Sequence, residues 1–145
     1  MIVKNEEGHL GQCLVPVNGI LDEIIIVDTG STDKTKEIAK KFGAKIFDFK
    51  WIDDFSAARN SAISHSTKDW ILMVDADEVI EKEDLEKIKN LIENPGDFAG
   101  FALRQRSYIS NYFEGAIKNN SDFAPAKQIY EQVNQVNVAK HFAKA

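Results

Sequence analysis

The stretch Trp70-Ile-Leu-Met-Val-Asp-Ala-Asp-Glu78 decides the fold of this chain. Its five successive apolar residues, 70 to 74, lack the alternation of a half-buried strand. They predict a strand covered on both faces, as in parallel sheets. Three carboxylates follow within four positions: Asp75, Asp77 and Glu78. In open α/β sheets ligands bind just beyond the carboxyl ends of the strands, where these acids are expected. Ionised acids this close repel one another, so the cluster points to a cation between them. Oxygen donors suit Mg²⁺ or Mn²⁺, and a metal held by one or two carboxylates keeps positions open for substrate phosphates. The plainer alternative is an acidic, solvated turn after a core strand.

Upstream, the same design recurs. Ile24-Ile-Ile-Val27 predicts a second buried strand, running into Asp28-Thr-Gly-Ser-Thr-Asp33. Gly30 permits a tight turn there, and Ser31, Thr32 or Asp33 can cap the next helix. That helix carries Ile38, Ala39 and Phe42 on one face and stops at Gly43. Before it, Met1-Ile-Val3 reads as the last turn of a strand, and Leu10, Cys13, Leu14 and Val17 recur at helical spacing. Lys45-Ile-Phe-Asp-Phe49 predicts another strand. Asp53 and Asp54 can then cap a helix with Phe55, Ala58, Ala62 and Ile63 inward. Beyond the acidic turn, residues 81–93 predict a helix with Leu85, Ile88 and Ile92 inward, ended by Pro95-Gly96. Residues 98–103 predict a strand. Residues 110–145 are expected to form a loop and a terminal helix built on Ile129, Val133 and Val136.

Strands alternating with helices imply βαβ units, a mostly parallel sheet and a three-layer α/β/α sandwich. Right-handed crossovers place the strand ends on one edge. Two of those ends, after Val27 and Val74, carry acids. One acid-bearing tip suits a base or ribose through hydrogen bonds, and the other suits a metal. Arg59 would add a planar cationic fork for phosphate oxygens. Plainer readings stand beside these: Arg59 as a surface residue pairing with Asp54 or Asp53, and Asp28 as a helix-cap or turn aspartate.

Composition narrows the class. The 145 residues form one domain with enough apolar content, 43%, for a real core. A net charge of −5 with no basic patch argues against nucleic acid as a partner. The single cysteine, Cys13, cannot form an internal disulfide, which favours a reducing, cytoplasmic location, and its apolar surroundings suggest a packing role. No apolar run approaches the ~20 residues of a membrane span, and no signal peptide is expected.

Four stretches in order and register carry a family resemblance. They are Ile2-Val-Lys-Asn-Glu-Glu7, Asp22-Glu-Ile-Ile-Ile-Val-Asp-Thr-Gly-Ser-Thr-Asp-Lys-Thr35, Phe55-Ser-Ala-Ala-Arg-Asn60 and Asp75-Ala-Asp-Glu78. Over residues 1 to about 105 the chain resembles the family 2 glycosyltransferases. The resemblance implies a GT-A fold, with residues 1–109 as the nucleotide-sugar-binding core and 110–145 as part of an acceptor side. It also implies inverting transfer from a nucleotide-diphosphate sugar, a UDP-sugar favoured, to an unknown acceptor, with Mn²⁺ or Mg²⁺ as cofactor. By position, Val3, Asn5, Glu6 and Asp28 match nucleoside-pocket residues. Asp54 and Arg59 match contacts to base or diphosphate, Asp75 a ribose contact, and Asp77 the metal ligand.

The chain departs from that family in two respects. Members carry several more apolar residues before the match to Met1, and they continue well past residue 105 into a region with the catalytic base. Glu114, Asp122 and Glu131 are the downstream acids, and none sits in a recognisable base motif, so no base is assigned. The expectation is therefore a donor-binding part, with possible self-association through uncovered strands. Two other functions compete. One is a nucleotide-sugar-binding module without turnover. The other is a haloacid-dehalogenase-like phosphatase, whose strand-then-Asp-x-Asp pattern Val74-Asp-Ala-Asp-Glu-Val79 also fits; that family puts the motif on its first strand.

Overall fold

Short apolar strands with charged or turn residues at both ends pair in parallel and build the first sheet. A computed structural model describes residues 1–103 and the strand at 140–144. In chain order the elements are β1 (Ile2–Val3), α1 (Leu10–Val17), β2 (Ile25–Asp28), α2 (Thr35–Lys41), β3 (Lys45–Asp48) and α3 (Phe55–Ser64). Then follow β4 (Trp70–Ile71), α4 (Lys82–Glu93), β5 (Gly100–Leu103) and β6 (Lys140–Lys144). Contacts divide the chain into Met1–Gly100 with Phe142–Ala145, and Phe101–His141. The core and the site belong to the first of these units.

Strands β1, β2 and β3 lie side by side in that order, all parallel. Val3 pairs with Asp28 and Asp28 with Asp48, so these three residues form one row at the carboxyl edge. All four residues of β2 are buried, as its unalternated sequence requires. Ile26 packs into a cluster with Val3, Leu10, Leu14, Val17, Ala39, Ala76 and Leu85. Ile25 and Val27, on the opposite face of the pleat, pack with Ala62 and, at its margin, Phe47 and Phe49. Helices therefore cover both faces of β2, which is the α/β/α layering expected from the alternating elements.

Helix α1 buries the four residues that recur at helical spacing, Leu10, Cys13, Leu14 and Val17. Helix α2 starts at Thr35, one turn of chain after Gly30, and gives way at Gly43, whose φ of 70° suits a residue without a Cβ. Helix α4 buries Leu85 and Ile88, with Ile92 half-buried.

The structure corrects several expectations. The apolar run 70–74 is strand only at Trp70–Ile71, and all five residues are half-buried. Its partner is β6, antiparallel, with Trp70 opposite Lys144 and Ile71 opposite Ala143. An apolar run reports burial and not the source of its backbone hydrogen bonds, and here a distant segment supplies them. Residues 140–144 are accordingly strand, within the stretch expected to be loop and terminal helix. Ile129, Val133 and Val136 lie outside the described residues. On α3, Ala58 and Ala62 are buried, but Phe55 is 69% exposed and Ile63 38%. The two alanines give close approach to the sheet, so the bulky neighbours stay at the rim.

One polar tie crosses from the start of β2 to the loop before β4. Glu23 accepts from the Thr67 N–H at 2.6 Å and hydroxyl at 3.1 Å, and pairs with Lys45 Nζ at 2.9 Å. The Thr67 N–H first, then Lys45, pull its carboxyl from the ordinary 4.5 down to about 2. A depressed carboxyl pKa means that the unfolded state binds more protons as pH falls from about 4.5 towards 2. That part of the stability is full above the window and lost through it. Glu23→Gln should flatten the urea-midpoint curve across this pH range, and a variant curve parallel to wild type would show that Glu23 contributes nothing to acid sensitivity.

Candidate functional site

The row Val3–Asp28–Asp48 sets where the following loops leave the sheet, so the β1 and β2 loops meet at once. Asn5 adopts φ 57°, a left-handed conformation that Asn tolerates better than most residues. Its N–H donates to Ser31 Oγ at 2.9 Å, and its Oδ1 accepts from the Thr32 N–H at 2.8 Å. The Glu6 N–H donates to Thr35 Oγ1 at 2.7 Å, and the Glu7 N–H to Asp33 Oδ2 at 3.0 Å. In return, the Lys34 N–H donates to Glu7 Oε2 at 2.9 Å. Thr29 closes the base of the junction, donating through both N–H (2.9 Å) and Oγ1 (3.0 Å) to Val3 O. Backbone donors that a loop would leave to solvent are thus satisfied by the opposite loop.

Asp28 lies within this junction at 1% exposure. Its Oδ2 accepts the N–H groups of Gly30 (3.0 Å) and Ser31 (2.9 Å), and Lys36 Nζ stands 3.4 Å away. Gly30 has φ 108°, which lets its N–H turn back onto the carboxylate. Burial pushes the Asp28 carboxyl up, but hydrogen bonds from Ser31 and Gly30 and the Lys36 charge outweigh it and hold it below the ordinary 3.8. Asp28 is therefore ionised and acceptor-only at neutral pH. Its Oδ1 is buried and has no hydrogen-bond partner among the described residues.

A second group forms around α3 and the acidic turn. Asp54 caps α3, its Oδ1 accepting from the Ala57 N–H at 3.0 Å. The preceding Asp53 has φ 56° and accepts from Trp51 Nε1 at 2.8 Å. One turn into the helix, Arg59 Nη2 donates to Asp75 Oδ1 at 3.2 Å, each side chain nearly half exposed. Arg59 thus pairs with Asp75 and not with Asp53 or Asp54, the partners of the plainer reading. Asp75 donates its N–H to Glu78 Oε2 at 2.8 Å, and its carbonyl receives Cys13 Sγ at 3.5 Å. Asp77 is exposed and makes no ion pair with a described residue.

This geometry separates the three acids instead of gathering them around one cation. Asp75 turns to Arg59, Glu78 folds back on the turn's own backbone, and Asp77 faces solvent. Among the described residues no group of three His, Cys, Asp or Glu is placed to hold a metal. The exposed Asp77 carboxylate offers oxygen donors of the kind that suit a hard cation such as Mg²⁺ or Mn²⁺. Sequence reasoning passed over Glu7, Thr35 and Lys36, three residues that fix the loops after β1 and β2 and the start of α2. The cue for Lys36 lay in register: only pairing Asp28 with Asp48 shows two acids in need of a cation. Glu114, Asp122 and Glu131 lie outside the described residues.

Comparison with known proteins now gives the frame. The model of the family "Glycosyl transferase family 2" matches residues 1–143. The chain belongs to that family. It is 38% identical over 146 residues to an uncharacterized glycosyltransferase of Rickettsia felis, covering 97% of this chain and 51% of the relative. It is 44% identical over 107 residues to a TPR repeat-containing protein of Synechococcus elongatus, covering 74% of this chain and 27% of that one. The chain therefore spans about half or less of the length of these relatives. Among solved structures, Staphylococcus aureus TarS superposes with a TM-score of 0.62 at 22% identity, covering 78% of this chain and 38% of TarS. Mycobacterium tuberculosis glucosyl-3-phosphoglycerate synthase with Mn²⁺, UDP and glucosyl-3-phosphoglycerate superposes with a TM-score of 0.57 at 17% identity, covering 99% and 54%. At such identities the likeness establishes the GT-A fold. The dehalogenase alternative falls with it: the Asp-x-Asp turn follows the fourth strand, not the first.

The Asn5 junction yields a stability test. Asn5→Ala removes the acceptor for Thr32 and forces a Cβ residue without a compensating side chain into the left-handed region. A loss of about 1–3 kcal/mol is expected. Asn5→Gly, which keeps the backbone conformation accessible, should lose less. Equal urea midpoints for wild type and Asn5→Ala would show that the junction is not held by this residue.

Proposed function

We propose that this chain binds a uridine-diphosphate sugar and forms the donor side of an inverting glycosyl transfer. The observation that carries the reading is Asp28 Oδ1, a buried, ionised acceptor without a partner among the described residues, at the carboxyl end of a central strand. Such an oxygen can accept a hydrogen bond from a bound ligand. The N3–H of uracil supplies it; cytosine presents an acceptor at the same position and would be repelled. The oxygen is covered in this state, so the base must displace part of its cover to reach it. Val3, Asn5 and Glu6 would flank the base because the β1 loop is tied to the β2 loop beside Asp28.

In this reading the diphosphate meets Arg59 and Asp77. The Arg59–Asp75 pair is nearly half exposed, a setting in which ion pairs are worth about 0–1 kcal/mol, so Arg59 can exchange Asp75 for phosphate oxygens at small cost. With Arg59 turned to phosphate, the Asp75 carboxylate would accept a ribose hydroxyl in its place. A divalent cation held by Asp77 would supply charge stabilisation for the departing diphosphate. The complexes of the two solved relatives support this reading: TarS has been crystallised with UDP, and the mycobacterial synthase with Mn²⁺ and UDP. The acceptor hydroxyl needs a general base, which the described residues do not identify. No helix among them is long and apolar enough to cross a membrane.

Two variants test the two ends of the donor. Asp28→Asn should keep its carbonyl oxygen on the Gly30 and Ser31 N–H groups and present an NH₂ where Oδ1 stood. UDP affinity should fall about tenfold, about 1.4 kcal/mol, and the preference for UDP over CDP should shrink or invert. Unchanged selectivity in calorimetric titration would remove Asp28 from base recognition. Asp77→Asn should leave the circular dichroism spectrum intact yet abolish the gain in UDP affinity that Mn²⁺ gives the wild type. Mass-spectrometric detection of sugar transfer from a UDP-sugar separates an enzyme from a module that only binds donor.

A further inference from the structure

The register of the first sheet creates an electrostatic problem that the donor reading does not itself resolve. Asp28 on β2 and Asp48 on β3 are directly paired residues of a parallel ladder, so their side chains leave the same face about 5 Å apart. Two carboxylates in that arrangement repel, and one of them is 1% exposed. A single cation answers both. Lys36, in the first turn of α2, stands 3.4 Å from Asp28 Oδ2 and makes a close ion pair with Asp48 Oδ1. Asp48 itself is 78% exposed and has solvent available; Asp28 does not.

Lys36 approaches Asp28 on one side only. It shares Oδ2 with the Gly30 and Ser31 N–H groups, which leaves Oδ1 without a donor among the described residues. A lysine reaching Oδ1 instead would have filled the acceptor and closed the position to a base. Among the described residues the charged groups facing Asp28 are Lys36 from α2 and Asp48 from β3. On its other side β1 presents Val3, and the loop presents Gly30 and Ser31.

We infer that Lys36 is a positioning residue for base selection: by holding Oδ2 of Asp28 against the neighbouring carboxylate, it commits Oδ1 to accept a single imide N–H from the bound nucleoside. The inference rests on the donor reading above and extends it to a residue outside the nucleoside pocket. Lys36 touches no ligand in this scheme. It acts through Asp28, and its influence is on which base binds and over what pH range. Without Lys36, Asp48 raises the cost of ionising Asp28. A protonated Asp28 offers a donor where uracil needs an acceptor, so discrimination against cytosine fails first at the acid end.

The test is UDP and CDP titration of the 145-residue chain from pH 5 to 8, for wild type, Lys36→Met, Lys36→Arg and Asp48→Asn. Carbon-detected NMR of the Asp28 carboxyl in the same proteins without nucleotide accompanies it. Lys36→Met should lose about tenfold in UDP affinity at pH 7, lose its preference for UDP over CDP as pH falls, and titrate Asp28 at higher pH. Lys36→Arg should restore selectivity. Asp48→Asn removes the strap between α2 and β3 but leaves the cation on Asp28, so it should bind as wild type does. A purely structural role for Lys36 predicts the opposite: both Lys36→Met and Asp48→Asn weaken UDP and CDP equally, with the Asp28 titration unmoved. That outcome, or wild-type binding and pH profile in Lys36→Met, overturns the inference while leaving the donor reading standing. Wild-type protein that binds neither nucleotide overturns both.

Discussion

Parallel pairing of Val3 with Asp28 is the constraint on which the rest of the site depends. Parallel strands end on the same edge, so the loops after β1 and β2 must share one small region of surface. Each loop brings N–H groups that neither strand can satisfy. The sequence meets this with side chains that accept across the gap: Asn5 for Thr32, Asp33 for Glu7, Thr35 for Glu6 and Glu7 for Lys34. A slip of one residue in the β1–β2 register would send Asp28 to the opposite face of the sheet. It would also place Asn5 out of reach of Thr32. The junction is therefore both a consequence of the register and a lock upon it.

Burying a carboxylate at the end of this ladder costs several kcal/mol unless it is compensated. Compensation is concentrated on one oxygen. Two backbone N–H groups and a lysine converge on Oδ2, each gaining strength from the low dielectric that makes the burial costly in the first place. Sharing the donors evenly between the two oxygens would have satisfied the aspartate completely and produced an inert turn. The asymmetry leaves Oδ1 without a partner among the described residues, an acceptor that a donor from a bound molecule or a water can satisfy.

The sequence made the elements legible where local chemistry decides them. The 10-13-14-17 spacing named the buried face of α1 residue by residue, and Asp54 was rightly placed as a cap. Legibility failed where a distant partner decides. Nothing within residues 70–74 says that Trp70 and Ile71 would pair with Lys144 and Ala143, because a ladder's partner is not encoded in the strand's own hydropathy. The acidic turn shows a related limit. Counting charges along the chain made Asp75, Asp77 and Glu78 one cluster, whereas Arg59 on α3 and the turn's own N–H draw two of them apart. Lys36 was invisible for the same cause: its role exists only once β2 and β3 are set in register.

The two groups of charged residues differ in how firmly they are held, and that difference fits opposite tasks. Asp28 is fixed by three donors in a buried setting, where moving it would cost most of their combined strength. A group that must distinguish one base from another by a single hydrogen bond has to be this rigid, since a carboxylate able to swing or to gain a proton would accept either base. Arg59 and Asp75 meet at the surface through one contact of 3.2 Å, with water available to both. A weak, exchangeable pair of that kind suits the diphosphate contact proposed above. Phosphate oxygens reward a guanidinium fork whichever sugar is attached, provided that its resting partner can be given up. In the proposed reading, selectivity lies with the buried aspartate and its lysine, and capture with the exposed arginine. Weakening the first should change which nucleotide binds, and weakening the second should change how much of it binds.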